Sequence, residues 1–334
     1  MVGFIIRRLL SGILVLLAIS AATFGLFFAG PINPAEAQCG EGRNCPQERI
    51  DRIEHALGLD KPKLEQYTTF MSGLVVGREL RAGEWVKDCP APCFGYSFKQ
   101  DRPVTQIMVE RIPATVSIAI GGAAIFLFVG VALGMLAAIR RGTAIDKGLV
   151  GISITLSSIP YIVIAILAYL YLAVSWEIFP RTGYQPLFGE QGSLIGWVKG
   201  LVLAWFVLGL YNTTQYARFS RGSMVETLGE DYVRTARAKG LASRRVYVKH
   251  ALRAAIAPVI TIFGLEVAGL LVGTVFTEQV FQIDGLGRLG LQSVRSGDLP
   301  VVMGTVMLGA ALIVVANIVV DIAYSFIDPR VRLA

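Results

Sequence analysis

The stretch Glu230–Pro258, EDYVRTARAKGLASRRVYVKHALRAAIAP, is an Arg- and Lys-rich segment between two long apolar runs. Its first third carries the end signals of a short helix. Glu230 and Asp231 stand where the helix dipole is positive, and Arg237 stands where it is negative. Gly240 can take the left-handed position that follows a helix. We therefore predict a short capped helix at the start of this stretch, in a loop that leaves the membrane and returns to it.

The rest of the composition is that of an integral membrane protein. Of 334 residues, 54% are hydrophobic and 16% charged, and the mean hydropathy is +0.60. Apolar blocks of about 20 residues are long enough to cross a hydrocarbon core. A net charge of +7 does not indicate nucleic acid here, since no basic patch is interleaved with base-stacking aromatics. The basic residues are instead those expected in cytoplasmic loops.

We predict an all-α polytopic fold with six transmembrane helices. They are Phe4–Gly30, Pro113–Ile139, Leu149–Val174, Lys199–Tyr216, Ala254–Phe281 and Pro300–Ile327. Pro160 removes one hydrogen bond from the third span and predicts a kink, either tolerated or a gating hinge. With the N-terminus inside, the short inside segments carry more than half of the 31 lysines and arginines. We therefore expect a multi-pass protein of the cell membrane with both termini cytoplasmic.

The segment 31–112 is a polar insertion on the extracytoplasmic side, with short helices expected over Ile50–Leu57 and Leu64–Val76. It contains all the cysteines, which are Cys39, Cys45, Cys89 and Cys93. An even number confined to one loop indicates disulfides in an oxidising compartment. Local pairs and a cross-pair between the two ends of the loop both fit. The spacings are poor for zinc, so we predict no metal site.

The chain shows no pattern typical of an enzyme. Gly-Lys never occurs as a dipeptide, so there is no phosphate-binding loop for ATP. The histidines, His55 and His250, are far apart and fall on opposite sides of the membrane in this topology. We therefore expect no catalytic residue and no cofactor in this chain. Any work done on a solute must draw its energy from another subunit.

Four polar residues lie in or near the predicted spans, where they are costly unless they face a cavity or a partner. They are Glu266, Glu278, Asn317 and Asp321. They could line a transport path, with Glu278 at an outer gate, or they could form hydrogen bonds between helices. For Glu266 both interpretations stay open, and for Asp321 the structural one is preferred.

The segment Tyr232–Leu241, YVRTARAKGL, resembles the cytoplasmic "EAA" loop of ABC importer permeases in its dipeptide/oligopeptide-family form. That loop reads Glu-Ala-Ala, three residues, Gly, nine residues, Ile-x-Leu-Pro. In this chain, the positions of Glu, Ala, Ala, Gly, Ile, Leu and Pro in that pattern are occupied, in this order, by Arg234, Thr235, Ala236, Gly240, His250, Leu252 and Arg253. Only Ala236, Gly240 and Leu252 match the general pattern literally, and the peptide-importer form fits better.

Further segments extend the resemblance over most of the chain. They are Gly58–Pro62 after the first span, Phe276–Arg288 after the fifth, and Val320–Arg332 at the C-terminus. The long insertion is similar to that of the first of the two permeases in such importers. The resemblance implies three parts: 1–30 as tail and first span, 31–112 as the extracytoplasmic domain, and 113–334 as the permease core with its loop at 217–253.

The resemblance also implies partners and a role. The partners are a second homologous permease, two ATPase domains that bind ATP and Mg, an external solute-binding protein, a di- or oligopeptide and membrane lipid. The residues through which the loop would dock on the ATPase are Glu230, Asp231, Tyr232, Arg234, Thr235, Ala236, Arg237, Gly240, Leu241 and Leu252. The alternatives are the same kind of importer for nickel, haem or sugar, a membrane carrier or channel of another class, or an assembly protein.

Overall fold

A computed structural model describes residues 2–28, 34–39, 46–82, 85–180, 182–190 and 192–327. The helices in chain order are α1 (Val2–Phe28), α2 (Pro34–Cys39), α3 (Gln47–Leu57), α4 (Lys63–Val76), α5 (Val104–Ile139), α6 (Ala144–Ser157), α7 (Tyr161–Ala168), α8 (Leu194–Leu228), α9 (Asp231–Ala238), α10 (Ser243–Arg245), α11 (Leu252–Gly273), α12 (Val275–Val280), α13 (Leu286–Ser296) and α14 (Leu299–Ile327). A π-helical segment over Tyr169–Ser175 continues α7, and a second one over Val246–Ala251 precedes α11. The prediction of a helical polytopic membrane protein is confirmed, with four short strands in addition among the described residues.

The chain divides into two compact units. The N-terminal unit is Met1–Thr115 with Asp284–Ile318, and the core unit is Val116–Ile283 with Val319–Ala334. The N-terminal unit also contains antiparallel strands, β1 (Arg78–Ala82) with β2 (Trp85–Cys89) and β3 (Tyr96–Ser97) with β4 (Arg102–Pro103). These hairpins were not predicted, because the strands are short and carry charged residues.

In the N-terminal unit, the predicted helices of the insertion are present as α3 and α4. Gly58 ends α3 in the left-handed conformation, with φ of 68°, as its position after Leu57 predicts. Cys89 and Cys93 form a disulfide, which is one of the local pairs expected. Cys45 and the side chain of Cys39 lie outside the described residues, so their pairing stays a prediction.

The Gly-rich segment Asp284–Arg288 leads into helix α13. Gly285 is the N-cap of α13, whose first amide, on Leu286, donates to the buried Thr115 hydroxyl at 2.8 Å. Asp284 forms ion pairs with Arg111 at 3.0 Å and Arg288 at 3.1 Å. The contacts with Thr115 and Arg111 come from distant parts of the sequence, so the local glycines could not reveal that a helix follows.

Five helical stretches are long and apolar enough to cross a membrane, and a sixth is a pair of helices bent by 94°. That pair is α6 with α7, where a single kinked span was expected. Pro160 has no N–H and disfavours a helical conformation for Ile159, so the helix breaks there. The hydroxyls of Ser157 and Ser158 donate to carbonyls one turn back, at 2.7 and 2.9 Å. The count of six spans holds only if this broken pair is one of them.

In the core unit, α5 and α8 pack closely along a row of glycines. A Cβ placed on Gly134 would lie 2.5 Å from the Ala217 carbonyl oxygen and 2.9 Å from the Arg221 amide nitrogen. Small residues allow such close approach of helix backbones in a membrane. α5 begins at Val104 rather than Pro113, so the boundary predicted between 112 and 113 falls inside a helix.

Candidate functional site: the loop between α8 and α11

The polar stretch predicted as a loop over 217–253 is helical at both ends. α8 continues to Leu228, and the π-helical segment Val246–Ala251 leads into α11. The extension of α8 is explained by burial at helical spacing. Met224 packs with Ala138, Ala251 and Ala255 in one buried cluster. Charged residues flank Met224 in the sequence, so the overall polarity of the stretch does not reveal that one side of this helix is buried.

The short helix predicted at the start of the loop is present as α9. Glu230 is its N-cap residue, although its side chain makes no capping hydrogen bond, and Asp231 lies in the first turn. Gly240 follows in the left-handed conformation, with φ of 75°. The Gly240 amide donates to the Arg237 carbonyl at 2.9 Å, and the Leu241 amide donates to the Ala236 carbonyl at 3.4 Å. The chain thus turns back at the glycine as the sequence predicts.

One side of α9 packs into a small cluster that we call the loop core. It consists of the buried residues Val233, Ala236 and Val246, with the partly buried Leu228 and Leu241 around them. Leu228 is the last residue of α8, and Val246 lies just before α11. The loop core therefore ties α9 to the ends of two long helices.

The other side of α9 is exposed and mostly basic or polar. Tyr232 is 46% exposed, and Arg234, Thr235, Ala238 and Lys239 are exposed as well. Partial burial, and then the nearby Glu230 carboxylate, raise the pKa of the Tyr232 hydroxyl. The Arg237 guanidinium lies 5.7 Å from the centre of the Tyr247 ring, an arrangement that holds its side chain in place.

The two small residues of the predicted docking set have different surroundings. Ala236 faces inward and is only 6% exposed, so its small size serves packing within the loop core. Gly240 is exposed, and a Cβ there would meet no atom within 4 Å. Leu241 belongs to the rim of the loop core, and Leu252 is the partly buried first residue of α11. Val233 and Val246 were missed, although their apolar character inside a charged stretch signals burial.

The polar residues proposed for a transport path have separate environments. Glu278 is fully buried in α12 and accepts a hydrogen bond from the Thr274 hydroxyl at 2.9 Å. Glu266 in α11 and Asn317 in α14 are partly buried. The side chain of Asp321 lies outside the described residues. Their role in transport stays a prediction.

Replacing Gly240 tests whether the backbone conformation matters more than the space around it. Gly240→Leu should destabilise the end of α9 by roughly 1 kcal/mol, because a left-handed conformation is strained for a branched side chain. Gly240→Asn adds a side chain of similar size that tolerates this conformation. Hydrogen exchange of the amides in 231–241 should become roughly fivefold faster in the leucine variant alone. Equal exchange in both variants would contradict the backbone explanation.

Two models of known protein families match nearly the whole chain. Residues 130–333 match the family described as binding-protein-dependent transport system inner membrane component. Residues 1–119 match the N-terminal model for such membrane components. The resemblance read from the loop is thereby confirmed.

Individual relatives match this chain over nearly their full length. A putative peptide transport system permease protein of Brucella abortus (strain 2308) is 36% identical over 332 residues, and the match covers 99% of each chain. The dipeptide transport system permease protein DppB of Escherichia coli (strain K12) is 35% identical over 352 residues, again covering 99% of each. A solved structure of the MetNI methionine ABC transporter, in an inward-facing conformation, shares the fold. Its TM-score is 0.54 at 18% identity, covering 67% of this chain and 97% of that one. The chain therefore belongs to the family of binding-protein-dependent transport system inner membrane components.

Proposed function

We propose that the chain is the permease subunit of an ATP-driven importer that takes up di- and oligopeptides delivered by an external solute-binding protein. The observation that carries this is the end-to-end match to permeases named for peptide or dipeptide transport, which includes the long insertion after α1. A second homologous permease would complete the membrane part, and two ATPase domains would supply ATP and Mg. Both termini and the loop with α9 would then lie in the cytoplasm.

The loop has the construction that coupling to an ATPase requires. α9 presents a hydroxyl on Tyr232 and cations on Arg234 and Arg237 to the solvent. Guanidinium groups form strong hydrogen bonds with carboxylates, so an acidic groove on the ATPase would suit this face. The proposed contact is made by the exposed residues of α9 and not by Ala236.

The loop core explains how movement of α9 would reach the membrane. Because Leu228 ends α8 and Val246 lies at the start of the helical run into α11, a shift of α9 displaces both helices together. Packed elements of this kind move as small rigid bodies rather than deforming continuously. Glu266 and Glu278 lie further along the same chain segment, in α11 and α12, and are proposed to line the path or its gate.

Transport itself gives the direct test of the proposed function. The chain should be reconstituted in proteoliposomes with a second permease and ATPase subunits, and the solute-binding protein should be added. We expect uptake of a radiolabelled dipeptide that needs both ATP and the binding protein. Uptake of nickel, haem or a sugar, with no uptake of peptides, would support an importer but contradict the proposal that peptides are its substrate. Uptake without ATPase subunits would reject the importer.

Two alanines on α9 offer a matched test of the docking face. Ala238 is exposed, whereas Ala236, on the same helix, is buried in the loop core. Ala238→Cys should form a crosslink to the ATPase subunit with a short bifunctional maleimide, and Ala236→Cys should not. Crosslinked species are counted by mass spectrometry of native membranes. Equal crosslinking of both positions, or none in membranes that still take up peptide, would contradict docking through this face.

A further inference from the structure

Helix α4 of the insertion contacts two membrane-spanning helices well inside their apolar parts. Phe70 of α4 is buried in one cluster with Phe24 of α1 and Met303 of α14. The hydroxyl of Tyr67 forms a 2.8 Å hydrogen bond with the hydroxyl of Ser20, and its ring packs against Phe24. An insertion of polar composition would be expected to stand clear of the bilayer, so these contacts need an explanation.

The depth of these contacts can be read from two spans independently. Helix α1 ends at Phe28, and α14 begins at Leu299. At a rise of about 1.5 Å per residue, Ser20 lies roughly 12 Å from the end of α1 and Met303 roughly 6 Å from the start of α14. Helices that lie in a membrane interface are buried to a depth of about 5–10 Å. The two distances are close to that range, so the spans place α4 at the level where headgroups meet acyl chains.

The side of α4 that faces away from the spans is exposed and carries three large apolar side chains beside Glu65, Thr68, Thr69 and Ser72. Leu64, Val75 and Val76 are between 76% and 78% exposed. No residue from Gln66 to Val76 is charged, and the charged residues Lys63 and Glu65 are confined to the first turn. Large exposed apolar side chains on one side of a helix need an apolar environment.

Two of the three exposed hydroxyl groups on this side are bonded within the helix. The Thr68 hydroxyl donates to the Glu65 carbonyl at 3.1 Å, and the Ser72 hydroxyl donates to the Thr69 carbonyl at 3.0 Å. In hydrocarbon, polar groups must find their partners within the same element. Apart from Glu65 in the first turn and Thr69, the exposed side consists of hydroxyls bonded to their own helix and of leucine and valine, which fits lipid better than solvent.

We propose that α4 is an interfacial helix, which lies in the leaflet on the insertion's side of the membrane with Leu64, Val75 and Val76 in contact with lipid. Tyr67, Phe70 and Leu74 then fasten it to α1 and α14. Lys61 and Lys63 at its N-terminal end can reach the headgroups, as basic side chains at the edge of a membrane do. The partner of this surface is the lipid itself, and the insertion is anchored by it beside the outer ends of two spans.

Fluorescence quenching tests this in the assembled transporter. Leu64→Cys, Val75→Cys and the control Glu48→Cys, on the exposed side of α3, are each labelled with an NBD fluorophore under non-reducing conditions. The protein is placed in nanodiscs of phosphatidylcholine with or without doxyl-labelled phosphatidylcholine. We expect doxyl lipid to quench positions 64 and 75 several-fold more than position 48, and aqueous iodide to quench only position 48.

Two outcomes would overturn the proposal. Iodide quenching at 64 and 75 as strong as at 48 would mean that the face lies in water. Weak quenching by both agents in the full transporter would mean that another subunit covers the face. If one labelled variant does not express, Thr68→Cys, on the same exposed side, replaces it.

Discussion

Val233→Asp is expected to abolish ATP-driven uptake while the chain remains inserted in the membrane. Val233 has no exposed surface and packs with Ala236 and Val246 in the loop core. An aspartate carboxylate at this place would lose its hydration without gaining a cation, which costs several kcal/mol. α9 spans only Asp231–Ala238, and a helix so short depends on packing rather than on its own propensity. The loop is therefore expected to unfold locally rather than bury the charge.

The measurement separates loss of coupling from loss of folding. Uptake should fall to background, and the ATPase subunits should no longer co-purify with the chain. Protease protection of the membrane helices should stay as in the unmodified protein. The control is Ser243→Asp, which places the same charge at an exposed position at the start of α10, where the helix dipole favours it. If Val233→Asp transports as well as Ser243→Asp, the loop core does not support coupling.

Local end signals explain why the loop helix could be predicted from the sequence. Acidic residues at 230 and 231 and a glycine at 240 define its limits, and none of these depends on the rest of the fold. The same holds for the end of α3 at Gly58. The family resemblance rests on the same residues, so the loop and the family could be recognised together.

Features that depend on distant contacts could not be predicted in this way. The inward position of Ala236 requires Val246, which follows a turn, and the start of α13 requires Thr115 and Arg111, which are far away in sequence. The position of the break at Pro160 follows from the local sequence, but the angle between the two helices does not. A proline in a membrane helix can be tolerated as a mild kink or can separate two helices, depending on how neighbours satisfy the freed backbone groups.

The close packing of α5 against α8 was foreseeable only in part. The Gly- and Ala-rich composition of the second span indicates a close approach, and the sequence does not name the partner. In the structure the row of glycines on α5 faces α8, from Gly122 beside Leu208 to Gly134 beside Ala217. α8 leads directly into Leu228 and the loop core. The spacing between α5 and α8 therefore bears on the position of α9.

Gly134→Ala is accordingly expected to destabilise the protein although it adds a single methyl group. The new Cβ would lie 2.5 Å from the Ala217 carbonyl oxygen and 2.9 Å from the Arg221 amide, and both are backbone atoms that no rotamer change can move. The two helices must separate, and overpacking of this kind costs about 1–3 kcal/mol. Thermal unfolding in detergent, followed by the fluorescence of a thiol-reactive or tryptophan probe, should show a clear fall in Tm.

Gly222→Ala is the matched control for that change. Gly222 lies in α8 itself, and a Cβ there meets no atom within 4 Å. Replacing glycine by alanine inside a helix stabilises it by up to about 1 kcal/mol, so the Tm of this variant should be unchanged or slightly raised. Both variants remove one glycine and add one methyl group, and only the first places it against another backbone. A similar fall in Tm for both would contradict the close contact between α5 and α8, and with it the link from the glycine row to the loop core.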